Sequence, residues 1–172
     1  GDSNVAFFKE YRNAGLTAAA MPVLSVSIAE EEINGIGLDN VVGQLTAWNY
    51  YQTIDSPKNT AFVQSFKAKY GQNRVTSDPM EAAYTSLFLW KAIVEKANSF
   101  KTDDIRKAAG GVSYDAPEGT VTVNGENHHI AKTALIGKVG SDSWSHTDWR
   151  SGAPIEPDPF LKNYDWAKGL TG

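Results

Sequence analysis

The sequence VGQLTAWNYYQTIDSPKNTAFVQSFKAKY, residues 42–70, decides the predicted fold because it joins two elements of different kinds. Its first part predicts a buried strand, in which Leu45 and Ala47 lead to Trp48 and a run of aromatic residues. A polar loop follows the strand, and the second part has the spacing of an amphipathic helix. The stretch therefore predicts a strand that leaves one layer of structure and delivers a helix to another.

The start of this helix is marked by two residues. Pro57 suits a first helical turn, where its missing N–H group is not needed, and Ser56 can cap the free amides. Phe62 and Phe66 then follow the spacing of one helical face, together with Ser65 and Lys69. We predict a helix from Pro57 to Tyr70.

Composition excludes several classes of protein. The 172 residues are 41% hydrophobic and 21% charged with a net charge of -4, which is typical of an ordinary globular protein and offers no basic surface for nucleic acid. There is no cysteine, so disulfides and thiolate metal sites are excluded. No segment approaches the roughly 20 apolar residues of a membrane span.

The residues before this stretch predict helix, strand and helix. Ser3 or Asn4 can cap a first helix that runs to about Ala14. Residues 22–27 form a short run with strand character, and Glu30 opens the next helix, since its carboxylate suits a helix N-terminus. This order is typical of the interior of a parallel α/β sheet.

Residues after Tyr70 predict two more helices and a change to antiparallel structure. Asp78 and Pro79 open a long helix to about Ala97, and a shorter helix follows Thr102. The predicted buried stripe of the long helix consists of Ala82, Ala83, Leu87, Trp90, Ile93 and Val94. Residues 120–123 and 133–139 then predict a hairpin or small meander. The segment after Ser151 is rich in Pro and Asp and predicts an extended tail.

Four segments resemble one known family. They are Gly1-Asp2-Ser3-Asn4, residues 22–32 (PVLSVSIAEEE), residues 44–70, and residues 113–122 (SYDAPEGTVT) with 154–160 (PIEPDPF). Together they resemble type I periplasmic solute-binding proteins of ABC importers, and within them the branch that binds urea and short-chain amides. The resemblance implies a two-lobed α/β fold with parallel sheets and flanking helices, of which this chain supplies the C-terminal part.

The resemblance also implies a division of the chain between the lobes. Residues 1–50 are expected in lobe 2, helices within 51–97 in lobe 1, residues 98–150 in lobe 2 again with a β-hairpin, and 151–172 in an extended tail. The two helices of 51–97 would expose apolar stripes on their own. We therefore expect them to meet the N-terminal lobe of the same receptor, or another copy of the chain.

Ligands in open α/β sheets lie outside the carboxyl ends of the strands. The resemblance places two loops there, Asp2-Ser3 and the loop from Ser25 through Ser27 to Glu30. Urea and short amides carry N–H donors and a carbonyl acceptor, which carboxylates and hydroxyls can match. The alternative is that the serines satisfy nearby backbone groups and that Glu30 only caps a helix.

Three aromatic residues follow the strand at the expected hinge. Trp48, Tyr50 and Tyr51 either form a wall of the ligand cleft or pack the crossing segment, and packing is the favoured interpretation.

No catalytic, metal or cofactor site is predicted. His128 and His129 are neighbours, and neighbours on a strand point to opposite faces, so they are poor partners for one ion. No Gly-x-Ser-x-Gly nucleophile motif is present. Adjacent carboxylates such as Glu30 and Glu31 diverge on a helix, which disfavours the paired acid and base of a hydrolase.

The resemblance implies a binding protein rather than an enzyme. It implies a periplasmic receptor that closes its lobes on urea or a short-chain amide, uses no cofactor, and docks on the permease subunits of an ABC importer. Two alternatives keep the fold, a cytoplasmic amide sensor and a branched-chain amino-acid receptor.

Overall fold

The computed structural model describes residues 1–160 and 163–167. Within those residues the helices are α1 Asp2–Asn13, α2 Glu30–Ile36, α3 Leu38–Val41, α4 Pro57–Tyr70, α5 Asp78–Ala97 and α6 Thr102–Ala109. The strands are β1 Leu24–Ser25, β2 Leu45–Trp48, β3 Ser113–Ala116, β4 Gly119–Val123, β5 Ile130–Ala131, β6 Leu135–Val139 and β7 Ser145–Arg150. A short 3₁₀ helix spans Asp165–Ala167.

The first cluster of elements is a four-stranded sheet in the order β1-β2-β6-β7, covered on one face by α1, α2 and α3. Only β1 and β2 run parallel, whereas β6 and β7 are antiparallel to their neighbours, so the sheet is mixed rather than parallel. Phe8, Ile28, Ile33 and Val139 are among the buried residues between the helices and the sheet.

The second cluster is built from α5, α6 and the antiparallel meander β3-β4-β5. Its core includes Leu89 and Ile93 of α5 and Val121 and Val123 of β4. Residues 102–131 thus pack with the long helix, while β6 rejoins the first sheet. The division of the chain between two lobes stays a prediction, and this packing groups residues 102–131 with the helices expected in lobe 1.

The predicted pairing of residues 120–123 with 133–139 is wrong. Strand β4 pairs with β3 through a turn at Pro117 and Glu118 and with β5 on its other side, whereas β6 pairs with β2. The reason is the alternation in β6: Leu135, Gly137 and Val139 are buried, and this face continues the core of the first sheet.

The predicted buried stripe of α5 is wrong for three of its members, Ala83, Leu87 and Trp90, which are exposed. Leu87 is 62% exposed and Trp90 is 47% exposed, whereas Thr85 and Glu81 are buried together with Leu89. The hydroxyl of Thr85 donates a 2.6 Å hydrogen bond to Glu81 Oε1 on the buried side of the helix. The outer face of α5 is apolar and exposed, as the sequence predicted for a helix without its partner.

Two of the predicted helix starts can be compared with the structure. The Ser56 hydroxyl accepts a hydrogen bond from the Asn59 amide at 3.1 Å, which confirms the cap of α4. Helix α1 begins at Asp2 after Gly1, with no side-chain cap, so neither Ser3 nor Asn4 caps it.

The described part of the tail begins at the end of β7 and returns toward the second cluster. Residues 151–160 contain no helix or strand, only a single bridge between Ile155 and Lys132. The side chain of Asn127 donates to the carbonyl of Pro157 at 3.0 Å, which fixes the tail beside the β4–β5 turn. Positions 161–162 and 168–172 of the predicted tail lie outside the described residues.

The two clusters are joined at the end of β2 by a carboxylate. Asp78, the first residue of α5, accepts hydrogen bonds at 2.9 Å from the backbone amides of Asn49 and Tyr50 through one oxygen, Oδ2. The side chain of Asn49 donates at 2.8 Å to the carbonyl of Thr133, where the chain returns to the first sheet. Two segments cross between the clusters: residues 49–52 after β2, and the return segment 132–134 before β6. These two crossing segments are therefore tied to each other and to α5.

Buried polar side chains continue this network beyond Tyr50. The Tyr50 hydroxyl donates to Asn59 at 2.7 Å and lies 2.8 Å from the Thr76 hydroxyl. The side-chain amide of Asn59 donates to the backbone carbonyl of Gln52 at 2.9 Å. The side-chain oxygen of Gln52 in turn accepts from the backbone amide of Thr76. Because each of these buried groups has a partner, breaking one contact leaves another group unsatisfied.

The side chain of Tyr51 packs against strand β6 of the first sheet. Its hydroxyl donates to the carbonyl of Thr46 at 2.8 Å, and its ring covers Gly137. A Cβ atom at Gly137 would lie 2.5 Å from Tyr51 Cζ, so this position has no room for a side chain.

We expect Gly137→Ala to lower the free energy of unfolding by about 1–3 kcal/mol, since the added methyl must displace the Tyr51 ring. The measurement is guanidinium chloride unfolding, which avoids urea as a possible ligand. Gly35→Ala is the matched control, because a Cβ atom there meets nothing within 4 Å inside α2. Equal stability of the two variants would show that Tyr51 does not constrain β6.

We expect Asp78→Ala to lower the free energy of unfolding by about 2–3 kcal/mol, because the backbone amides of Asn49 and Tyr50 lose a charged acceptor. Asp103→Ala is the control, since Asp103 is also an acidic residue in the first turn of a helix and is exposed. That variant should lose less than about 1 kcal/mol, the ordinary helix-dipole contribution. Similar losses in the two variants would mean that Asp78 acts only on its own helix.

Candidate functional site

The two predicted ligand loops lie next to each other. The side chain of Asn4 in α1 donates to the carbonyl of Ser27 at 2.9 Å, and the Ser27 hydroxyl lies 3.3 Å from Asn4 Oδ1. Asp2, Ser3 and Ser27 are exposed and Ser25 is half-buried. The structure thus brings four of the five predicted ligand residues to one edge of the sheet, and their role in binding stays a prediction.

Ser25 also has a local structural task. Its hydroxyl accepts a hydrogen bond from the Ser27 amide at 3.1 Å, which closes the turn after β1. This is the alternative that the sequence left open for the serines, and it accounts for the Ser25 hydroxyl as an acceptor. Ser27, which is exposed, keeps its hydroxyl at the surface of the loop.

Glu30, the fifth predicted ligand residue, is placed differently. Its side chain is buried, and Oε1 accepts a 2.8 Å hydrogen bond from the backbone amide of Gln52 in the crossing segment. Burial raises the pKa of Glu30 to about 7, against the lowering effect of that amide. The carboxyl group therefore links α2 to the crossing rather than facing solvent at the strand ends.

The next two acidic residues also have their own partners. Glu31 accepts a hydrogen bond from the Ser77 hydroxyl at 2.9 Å, just before α5. Glu32 accepts from the backbone amide of Ala29 at 2.9 Å and so caps its own helix. Glu30 and Glu31 point to different partners, as expected for neighbours on a helix.

The three aromatic residues of the hinge have different surroundings. Tyr50 and Tyr51 are 0% and 1% exposed, which fits packing of the crossing segment. Burial raises the pKa of Tyr50 and raises that of Tyr51 to about 12, so both hydroxyls are neutral. Trp48 is half-buried, and its indole donates to the carbonyl of Ile28 at 2.7 Å, which fixes the ring beside the loop after β1.

A cavity of about 430 Å³ opens at the carboxyl ends of β1 and β2. Its lining residues come from the loop after β1, from β2, β6 and β7, from the two crossing segments and from the start of α5: Val26, Ala47, Trp48, Asn49, Asp78, Ala134, Leu135, Ile136 and Trp149. This lining combines aromatic rings with one carboxylate and one amide. Such a surface can hold a small ligand by apolar contact and orient it through ligand N–H donors.

Of these lining residues, only Trp48 belongs to the site predicted from the sequence. Asp78 was read as the start of a helix, and its contact with the Asn49 amide spans 29 positions. Trp149 lies on β7, a strand that the sequence analysis did not predict. The one available signal was local: Asn49 directly follows the predicted strand, where polar residues are enriched in ligand sites.

We expect Glu30→Gln to remove a pH dependence of stability. The folded-state pKa is raised above the unfolded value of 4.5, so the stabilisation is complete below 4.5 and is lost as pH rises through about 7. Gln keeps the acceptor for the Gln52 amide but cannot ionise. The variant should match the parent protein at pH 4.5 and exceed it by up to about 3 kcal/mol above pH 8.

The measurement is the midpoint of guanidinium chloride unfolding from pH 4.5 to 9. Glu126→Gln, at an exposed position in the β4–β5 turn, is the control and should follow the parent protein throughout. A Glu30→Gln variant that is less stable at every pH would show that the ionised carboxylate is needed.

No helix within residues 1–160 and 163–167 combines the length and the hydropathy that a membrane crossing requires.

Two curated proteins illustrate the similarity to known sequences. The chain is 26% identical over 143 residues to Leu/Ile/Val-binding protein homolog 6 of Brucella melitensis, a match that covers 81% of this chain and 36% of that protein. It is 28% identical over 131 residues to a Geobacillus stearothermophilus protein named limonene hydroxylase, covering 74% of this chain and 23% of that protein.

Solved structures share the fold at lower identity. A solute-binding protein of an ABC transporter from Rhodopseudomonas palustris HaA2, in complex with p-hydroxybenzoic acid, has a TM-score of 0.78 at 23% identity over 90% of this chain and 44% of that chain. An amino acid ABC transporter substrate-binding protein from Pseudomonas fluorescens Pf-5 has a TM-score of 0.78 at 20% identity over 92% of this chain and 43% of that chain.

The chain spans less than half the length of each of these proteins. The family model for the periplasmic binding protein domain matches residues 1–165. The chain therefore has the mixed α/β fold of a type I periplasmic binding protein and belongs to the periplasmic binding protein domain family.

Proposed function

We propose that the chain is part of the solute-binding component of an ABC importer and that its ligand is a small neutral amide, urea or a short-chain amide. The observation that carries the proposal is the lining of the cavity at the strand ends. Among the described residues it contains a carboxylate, Asp78, and an amide, Asn49, but no Lys, Arg or His. A ligand with N–H donors suits this lining better than an anion does.

The argument against an anionic ligand is electrostatic. A carboxylate bound near Asp78 would lose hydration and gain a repelling neighbour, with no basic side chain in this lining to compensate it. Urea carries no net charge and has four N–H donors and one carbonyl. Asp78 and the side-chain carbonyl oxygen of Asn49 can accept from such donors. The nearby Ser27 hydroxyl, whose hydrogen is donated to Asn4 Oδ1, can accept from a further ligand N–H.

Binding and release are proposed to follow from motion about the two crossing segments. The cavity has walls from the sheet, from both crossings and from α5, so a change in the angle between the clusters changes its shape. A ligand that contacts both sides favours the closed arrangement, because only that arrangement provides all the contacts. The closed form would then dock on the permease subunits, in the periplasm.

A second candidate ligand class is an aromatic or branched-chain acid. Two observations favour it: the solved relative from Rhodopseudomonas palustris HaA2 is in complex with p-hydroxybenzoic acid, and Val26, Trp48 and Trp149 give this cavity an apolar wall. Such an acid would need donors for its carboxylate from parts of the protein other than this cavity lining.

We expect urea or acetamide to give saturable binding heat in isothermal titration calorimetry, and benzoate and leucine to give none. The titration is made on the 172-residue chain and on the whole product of its gene. Saturable binding of benzoate or leucine without urea or acetamide would overturn the amide proposal and support the second candidate.

Ser27→Ala tests the predicted loop in the same titration. Loss of a hydroxyl oxygen that accepts from a ligand N–H should weaken binding about tenfold, which corresponds to roughly 1.4 kcal/mol. Ser141→Ala, at an exposed position in the β6–β7 turn, is the control and should bind like the parent protein. Unchanged affinity in Ser27→Ala would remove Ser27 from the site.

A further inference from the structure

A second cavity, of about 340 Å³, lies at the end of the first sheet opposite to the proposed ligand site. It is formed where the chain enters β1 and β2 and where β6 ends, whereas the proposed ligand site lies at the carboxyl ends of β1 and β2. Its lining consists of Arg12, residues 17–19, Val42, Gly43 and Lys138. The two cavities have no lining residue in common.

The floor of this cavity depends on a glycine. Gly43 has a φ of +82°, and a Cβ atom there would lie 3.2 Å from the Cβ atom of Ala18, so the turn that begins at Thr17 packs closely on the chain before β2. The amide of Gly43 donates at 2.8 Å to the carbonyl of Val139, the last residue of β6. This bond holds the end of β6, which carries Lys138, beside the turn.

Both charged side chains of the lining are cations with unused donors. Arg12, in the last turn of α1, is exposed, and its Nη1 makes one long hydrogen bond, 3.3 Å, to the carbonyl of Leu16. Lys138 is exposed, and its ammonium group has no hydrogen bond or ion pair with any residue that the structure describes. No Asp or Glu belongs to the described lining. Two positive charges therefore face one cavity without a counter-charge in its wall.

The neighbours of the two cations on their own faces do not neutralise them. Lys9 lies three residues before Arg12 on the same face of α1 and adds positive charge. His146 lies opposite Lys138 on β7, and its Nε2 is 2.8 Å from Asp142 Oδ2, so that carboxylate is already engaged. The chain as a whole has a net charge of -4, so this positive region is a local feature.

We propose that this second cavity binds a phosphate group as its dianion, with Arg12 and Lys138 as the charged donors. A phosphate dianion balances both cations, and its oxygens can accept from a guanidinium fork and from an ammonium group together. The Thr17 hydroxyl accepts from the Ala20 amide at 3.3 Å, so its own hydrogen is free to be donated to a further phosphate oxygen. A single carboxylate would balance only one of the two cations.

Inorganic phosphate and a phosphate monoester share this chemistry. The apolar part of the lining, Ala18, Ala19 and Val42, leaves a surface that the organic part of an ester can contact. The site does not depend on the proposed amide ligand, because the two cavities lie at opposite ends of the sheet.

The test is a titration of the ¹⁵N-labelled 172-residue chain with sodium phosphate, followed by NMR of the amide resonances. It is made at pH 8, above the second pKa of a phosphate group, about 6. The resonances of Ala18, Ala19 and Gly43 should shift saturably, whereas sodium chloride at equal ionic strength should leave them in place. Equal shifts in the two salts, or phosphate shifts confined to other residues, would overturn the proposal.

A parallel titration with methyl phosphate distinguishes the two sources of the phosphate group. Tighter binding of methyl phosphate supports the site as one for an ester, and tighter binding of inorganic phosphate supports it as one for the free ion. Absence of saturable shifts with both compounds would contradict a phosphate site of either kind.

Variants identify the cavity as the place of binding. Lys138→Gln should weaken phosphate binding about tenfold through loss of one charged donor, while Lys101→Gln, at an exposed lysine of the second cluster, should bind like the parent protein. Ala19→Glu puts a carboxylate into the lining from an exposed position and should abolish the shifts of Ala18 and Gly43. The same spectra report whether each variant is folded. Unchanged affinity in folded Lys138→Gln and Ala19→Glu would place the phosphate elsewhere and contradict the proposal.

Discussion

The paired hydrogen bonds from Asn49 and Tyr50 to Asp78 Oδ2 are the interaction on which the arrangement of the chain depends. Within the described residues the pairings of β2 end at Trp48, and α5 begins without a side-chain cap. The Asp78 carboxylate interacts with both elements. It accepts hydrogen bonds from the two amides after β2, and it lies in the first turn of α5, where the helix dipole favours negative charge. The direction in which the chain leaves the sheet is therefore fixed relative to the second cluster.

The polar character of the crossing has a consequence for motion. Tyr50, Gln52, Asn59 and Thr76 are joined by hydrogen bonds with little access to water. Rotation that broke these bonds would leave several buried groups unsatisfied, each at a cost of about 1–3 kcal/mol. Under the proposed hinge mechanism, opening and closing would have to keep this network intact. The rotation has to be taken up by the backbone on either side, near Trp48 and at the return through Thr133.

Sequence prediction succeeds where the signal is local and fails where the contact joins residues far apart in the chain. Helices α4 and α5 were predicted because Pro57 and Pro79 and their neighbouring caps are local signals. The pairing of β6 with β2 was not, because it joins residues about 90 positions apart and depends on the room that Gly137 leaves for Tyr51. The predicted loop at Ser27 could be found from its position after a strand. The burial of Glu30 could not be predicted, because its partner is the backbone amide of Gln52, a group that every residue except proline carries.

Glu30 and Glu118 place ionisable groups beside the crossing from both clusters. Glu30 holds the Gln52 amide from the sheet side, and Glu118 pairs with Lys132 at the start of the return segment. Burial raises the pKa values to about 7 and about 8, so each group stabilises the fold while it is protonated and loses that contribution as pH rises. Between pH 6 and 9 the crossing gains negative charge on both sides.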